Sequence, residues 1–209
     1  MDIIIDGSSV EIEGSPEDVM SVVIAVADEL QAQGKAIVDL RVDGQTLPPD
    51  ELVSQLEGKP IDSVDTIEVG SENIDELVCS ELAEIRRVVP DLPEVCHSLA
   101  AVFQGNSPQD GYALFNKLAE IWRHVKIIEQ QIANSLDLDL DSLSVDNVAV
   151  FDLHSDLNEF LREAAQALES GDCVLLGDLL EYELAPRAET ESAIIDLLTQ
   201  KAAEQFGRP

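Results

Sequence analysis

The chain has 209 residues, 45% of them apolar, with 43 acidic and 12 basic side chains and a formal charge of −31. The length allows one or two domains, and the apolar share is enough to fill their cores, which argues against global disorder. So negative a chain repels phosphate backbones, so no direct contact with nucleic acid is expected; the charge favours a basic partner or a salty cytoplasm.

The opening residues, MDIIIDG, carry no basic stretch and only a three-residue apolar run, so they are not expected to act as a secretory leader. Ile3–Ile5 predict a short strand and Asp6-Gly7 a turn that tolerates positive φ. Val10 and Ile12, alternating with Ser9, Glu11 and Glu13, predict a return strand with one buried face. In SPEDVMSVVIAVADELQAQGK, Ser15 is the expected N-cap and Pro16 the first helical residue. Glu17 and Asp18 then complement the helix dipole. Val19, Val22, Val23, Val26, Ala27 and Leu30 make one apolar stripe, and Gly34 ends the helix. AIVDLRV predicts a strand with Val38, Leu40 and Val42 on one side and Asp39 and Arg41 on the other. Asp43-Gly44 turns it, QTL returns, and Pro48 and Pro49 forbid a continuing central strand. A helical turn in PDELVSQL and a strand in DTIEVGS, with Ile67 and Val69 inward and Glu68 outward, complete the segment.

This order, β-β-α-β-β-short helix-β, resembles the ubiquitin-like β-grasp fold. VDLRVDGQTLPPDELVSQL carries the resemblance most sharply: a third strand ending in a glycine turn, a short fourth strand and a short helical segment before the last strand. The likeness covers Met1 to Ser71. Modifiers and sulfur carriers of that family end in a free Gly-Gly tail, whereas VGSEN here runs on into more protein, so neither role is expected. Arg41 and Glu68 stand where the apolar recognition patch of ubiquitin would lie, so docking of that style is not expected either.

From Asn73 the pattern turns helical. NIDELVCSELAEIRRVV places Ile74, Leu77, Val78, Leu82, Ile85 and Val88 on one face, and Pro90 and Pro93 break it. PEVCHSLAAVF predicts a second helix, and Asn106 or Ser107 is expected to cap a third over 108–135. There Leu114, Leu118, Ile121, Val125, Ile128 and Ile132 follow a heptad seam, which Phe115 and Trp122 widen. Three heptads suit a bundle better than a free coiled coil. DLDLDSLSVDNVAVFDLHSD connects to a fourth helix over 152–169, with Leu153, Leu157, Phe160, Leu161, Ala164 and Leu168 inward. After SGD, a fifth helical region runs from Cys173 towards Gln205, and Pro186 kinks or splits it. The block from Leu161 to Glu189 resembles one in helical bacterial proteins with no assigned activity. Leu168, Gly171, Asp172, Leu176, Asp178, Leu179, Leu180, Glu181, Tyr182, Glu183, Leu184 and Pro186 carry it. That likeness implies a bacterial origin and transfers no site.

Few constellations suggest chemistry. Asp137, Asp139 and Asp141 match the first three positions of a calcium loop, but Ser142 stands where glycine is needed and Val148 where the bidentate glutamate is needed. Their preferred reading is a loop whose leucines cover the bundle and whose aspartates face water. His97 follows Cys96 without a second ligand pair at zinc spacing. His154 in DLHSD has no nucleophile motif beside it, and no G-x-S-x-G or glycine-rich phosphate loop occurs. Asp178, Glu181 and Glu183 around Tyr182 are a plain acidic face if exposed, and the place to look for a site if buried. Arg123, His124 and Lys126, with Arg86 and Arg87, form the main cationic feature, for which pairing with the chain's own acids is expected. Cys79, Cys96 and Cys173 are expected to be free thiols in a reducing cytoplasm.

The acids are spread evenly, about −15 over residues 1–75 and about −16 over the rest, as on the surface of folded domains. No run is long enough to span a bilayer. Together these features predict an α+β protein with a β-grasp domain over residues 1–72 and an all-α bundle of about five helices over 73–209. A non-enzymatic cytoplasmic interaction or assembly module is expected, without cofactor or resident metal. It would be homodimeric through Leu114, Leu118, Ile121, Trp122, Arg123, Val125 and Ile128, or would contact a basic protein. An acidic nucleic-acid mimic that regulates a basic protein is the alternative, and an enzyme of unknown class the third reading.

Overall fold

The structure, a computed structural model, describes residues 1–12, 16–105 and 107–207. The chain divides into two compact units, Met1–Leu77 and Val78–Pro209.

The first unit is a five-stranded mixed sheet with a helix packed on it. Strands β1 (Asp2–Ile5), β2 (Ser8–Val10), β3 (Lys35–Val42), β4 (Gln45–Thr46) and β5 (Thr66–Asn73) lie in the order β2-β1-β5-β3-β4. β1 and β5 run parallel at the centre and every other pair is antiparallel. Helix α1 (Val19–Ala32) buries Val19, Val22, Val23, Val26 and Leu30 in a core with Ile3, Leu40, Val42, Ile67 and Val69. The helical period of the first set and the two-residue period of the second meet there, so the alternation in the sequence becomes the two sides of one core. A short helix, α2 (Leu52–Leu56), contributes the fully buried Leu56.

Two details differ from the expectations. Ser15 lies outside the described residues, as does Glu13, but α1 begins later than Pro16 would start it. Its cap is Asp18, whose Oδ1 accepts from the Ser21 backbone N–H at 2.8 Å and whose Oδ2 accepts from Gly58 N–H at 2.8 Å. Asp18 thus caps the helix and anchors a distant loop at once. Val38 is not inward but 47% exposed. The pairing jumps from Ile37 with Ser71 to Asp39 with Gly70, leaving Val38 as the extra residue of a β-bulge, and Ile37 takes the inward place.

The turn aspartates do more than tolerate positive φ, which they adopt at 50° in Asp6 and Asp43. Asp43 Oδ1 accepts from the Asp65 and Thr66 N–H groups at 2.8 and 2.9 Å. Asp6 Oδ1 accepts from Ser71 N–H at 2.8 Å, and its Oδ2 from Ser71 Oγ at 2.7 Å. Both loops are therefore pinned to β5. Hydrogen bonds from Ser71 hold Asp6 below the ordinary aspartate value of 3.8, those from Ser21 and Gly58 do so for Asp18, and those from Thr66 and Asp65 for Asp43. A lowered folded value stabilises above the unfolded pKa and is lost as pH falls through the folded one. An Asp43→Asn variant is accordingly expected to be less stable than the parent near neutrality. The two should converge from about pH 4 downwards, as followed by amide NMR. A difference that persisted undiminished in acid would show that the carboxylate charge contributes nothing.

The second unit is largely helical, and its first helix begins in the last residues of the first unit. α3 (Ile74–Val88) leads through a 3₁₀ turn at Pro90 into α4 (Leu92–Phe103), which has Pro93 in its first turn. Asn106 lies outside the described residues. Ser107 makes no side-chain cap: a 3₁₀ turn over Pro108–Gly111 precedes α5 (Tyr112–Ser135), which buries Phe115, Leu118, Trp122, Val125, Ile128, Glu129, Ile132 and Ala133. The connector holds a small hairpin, β6 (Ser144–Val145) and β7 (Val148–Ala149), turned by Asp146 and Asn147 with φ of 51° and 67°. α6 (Val150–Ser170) ends at a left-handed Gly171, and Asp172 Oδ1 caps α7 (Cys173–Asp178) by accepting from Leu175 N–H. Next comes a wide π turn, Leu179–Leu184, in which the Ala185 N–H reaches back five residues to Leu180 O. It joins α7 to α8 (Ala185–Phe206), and Pro186 sits in the first turn of α8, where its missing N–H is tolerated. The proline follows a change of winding rather than breaking a straight helix. α8 packs against α4, α5 and α6.

Candidate functional site

The expected seam of α5 is turned with respect to the bundle. Leu118, Trp122, Val125 and Ile128 are 1–4% exposed and belong to the unit's own core. Phe115 and Trp122, expected as flanks, are central. Leu114 is 48% exposed, Ile121 is half-buried and Arg123 exposed. The buried series is Phe115, Leu118, Trp122, Val125, Glu129, Ile132, a heptad with one carboxylate in it.

The rotation leaves an apolar groove of about 530 Å³ between α4 and α5. Val95, Leu99, Val102, Leu114 and Ile121 line it, with Asp91 and Glu94 at one side and Lys117 at the other. Val95 is 40% exposed. Past Ile121 and Lys117 it adjoins a second hollow of about 370 Å³ against α3, lined by Ile85 and Val88 with Glu84 and Glu120.

A second feature was not expected at all. Glu129 of α5 and Glu191 of α8 are 0% and 2% exposed, and Lys126 joins them. Its ammonium donates to Glu129 Oε2 at 3.0 Å and to Glu191 Oε2. His154 of α6 places Nε2 3.2 Å from Glu129 Oε2, an ion-pair distance without hydrogen-bond alignment. Glu129 Oε1 and the indole N–H of the buried Trp122 have no hydrogen-bond partner among the described residues. Burial by itself raises the Glu129 carboxyl; His154 and Lys126 outweigh it and hold that carboxyl below the usual range. Burial, reinforced by Glu129, pushes Glu191 up to about 7 against the pull of Lys126. Two buried carboxylates thus share one ammonium. Lys126 and His154 also line a groove of about 440 Å³ with Trp122, Arg123, Gln130 and Asn158.

The remaining sequence candidates are not drawn together into a cluster among the described residues. Asp137, Asp139 and Asp141 are exposed and do not gather into a ligand set; Leu136 and Leu140 between and beside them are buried. His97 is exposed beside a buried Cys96, whose thiol burial pushes up to about 12. His154 meets Glu129 rather than an aspartate of DLHSD, while Asp156 pairs with Arg187 at 2.7 Å. The Tyr182 side chain is 63% exposed, so its surroundings are the plain acidic face. Of the cationic residues, Arg86 pairs with Asp196 at 3.5 Å and His124 approaches Glu84 at 4.0 Å, as intramolecular pairing predicts.

Among the described residues no helix is long and apolar enough to cross a membrane. Residues 80–192 match the family model described as Domain of unknown function (DUF8042), and residues 1–71 the one described as TP0873 N-terminal domain. No curated protein and no solved structure matches.

Proposed function

The chain belongs to the DUF8042 family, and from the surface of the matched region we propose a non-enzymatic role in protein interaction, carried by the groove between α4 and α5. The occupant is a basic amphipathic helix of another protein. The floor of the groove is aliphatic, and around it Glu84, Asp91, Glu94 and Glu120 outnumber Lys117, so a helix with an apolar stripe and lysines beside it meets both. α4 spans 12 residues, about 18 Å, enough for three turns of a partner helix. A second copy of this chain fits less well. It would bring another −31 of charge to an acidic rim, and Leu118, Val125, Ile128 and Ile132 of the seam that motivated a homodimer are buried within the bundle.

For the N-terminal unit we retain the β-grasp reading. The order β2-β1-β5-β3-β4, the parallel central pair and the helix across one face support it. Arg41 is exposed and stands opposite Glu68, so that sheet face offers charges rather than an apolar patch.

The test uses a fluorescein-labelled 18-residue peptide with leucines at helical spacing and flanking lysines, beside a scrambled peptide of equal charge. The parent should bind the first at least about tenfold more tightly. Val95→Asp and Leu114→Asp, both on exposed positions, should each weaken it about tenfold or more without changing thermal unfolding. Equal binding of the scrambled peptide, or indifference to both substitutions, would overturn the proposal. So would a concentration-dependent dimer that Leu114→Asp dissolves, since the occupant would then be a second copy.

A further inference from the structure

We propose that Glu129, His154 and Glu191 form a binding site for a first-row divalent cation, Zn²⁺ or Mn²⁺ in kind, which Lys126 fills when no cation is present. One ligand atom from each of the three lies within 4.8 Å of those of the other two, the reach of a single ion's donors after small side-chain adjustments. Glu129 Oε2 and His154 Nε2 are 3.2 Å apart. Two donors at that separation, each about 2.1 Å from a common cation, subtend about 100° at it, between the octahedral and tetrahedral angles. Without an ion, the carboxylate and imidazole face one another without the alignment of a hydrogen bond.

A second observation points the same way. Glu129 is fully buried, yet Oε1 of its carboxylate has no partner. A buried carboxylate oxygen is rarely left so, because its desolvation is then uncompensated. The count of ligands agrees: one ammonium can offset only one of the two carboxylates, while two carboxylates match a divalent ion. Two carboxylates with one imidazole are also a mixed donor set, harder than a zinc finger and softer than a calcium loop, which suits Zn²⁺ or Mn²⁺.

Lys126 supplies the exchange. Its side chain is 24% exposed and lines the 440 Å³ groove together with His154. An arriving cation approaches through that groove, and the ammonium withdraws along the same path into water. The site is built from α5, α6 and α8 and is independent of the α4/α5 groove.

The experiment is equilibrium dialysis of the full chain against Zn²⁺ and Mn²⁺, with Co²⁺ absorption as a report on coordination by nitrogen and oxygen. One equivalent should bind the parent. His154→Gln, at the half-buried rim where folding tolerates it, and Glu191→Gln should each weaken binding about tenfold to a hundredfold. Lys126→Met should strengthen it, because the competing ammonium is gone. Forty-three surface and buried carboxylates will take up divalent ions loosely, but such binding is indifferent to His154 and Lys126. No tight equivalent in either the parent or Lys126→Met overturns the proposal. So does a bound equivalent unchanged by His154→Gln and Glu191→Gln.

Discussion

Lys126→Met, in buffer stripped of divalent ions, lowers the stability of the helical unit by about 3–5 kcal/mol, the ordinary cost of leaving a buried charge without its partner. Two carboxylates lose their shared ammonium at once, and Glu129 has no access to water that would compensate. Methionine keeps most of the stem's packing, so the loss reports charge rather than volume. Trp122 is the chain's single tryptophan and sits one turn before Lys126, so denaturant unfolding followed by its fluorescence reads the affected unit alone. A loss below about 1 kcal/mol would show that solvent reaches the carboxylates, as for a surface ion pair.

Trp122→Ala costs about 3–5 kcal/mol as well, by a different route: a large cavity in the core of the bundle. Trp122→Phe separates the two contributions of the indole. Its ring keeps much of the packing and removes an N–H that has no acceptor. Burying that donor unpaired costs about 1–3 kcal/mol in the parent, so Phe recovers part of what its smaller volume loses. Unfolding by circular dichroism should therefore place Trp122→Phe within about 1 kcal/mol of the parent. A loss as large as that of alanine would mean that the indole N–H has a partner in solution.

Local features were readable in the sequence wherever one segment determines them. The valine stripe of α1, the Asp-Gly turns and the breaks at Pro90 and Gly171 need only neighbouring residues, and each stands where it was expected. Val38 was misjudged because a bulge is a property of two strands: nothing near Val38 says that β5 will skip it. Asp146 and Asn147 are turn formers, so the small hairpin they close inside the connector is a local signal of the sequence.

The polar cluster was missed for another reason. With 43 acidic residues, a stripe reading assigns every carboxylate to water. One clue lay in α5, where Glu129 occupies the heptad place after Phe115, Leu118, Trp122 and Val125. Taking Leu114 and Ile121 as the centre of the seam moved that place to Ile128 and made Glu129 an outsider. Glu191 had a weaker signal, between Ala188 and Ile194 on the buried side of α8.

The π turn before Pro186 acts as a vernier. Leu176, Leu180, Leu184 and Ala188 are all fully buried at strict intervals of four. In an unbroken α-helix three such intervals would drift about 120° around the axis, carrying the last of the set out of the core. Winding the chain wider over Leu179–Leu184 takes that drift back, so every residue downstream inherits a corrected azimuth. Glu191, three residues past Ala188, faces Lys126 because of that step. The meeting of two carboxylates 62 positions apart in sequence is set by one loose coil between them, where no residue of either partner lies.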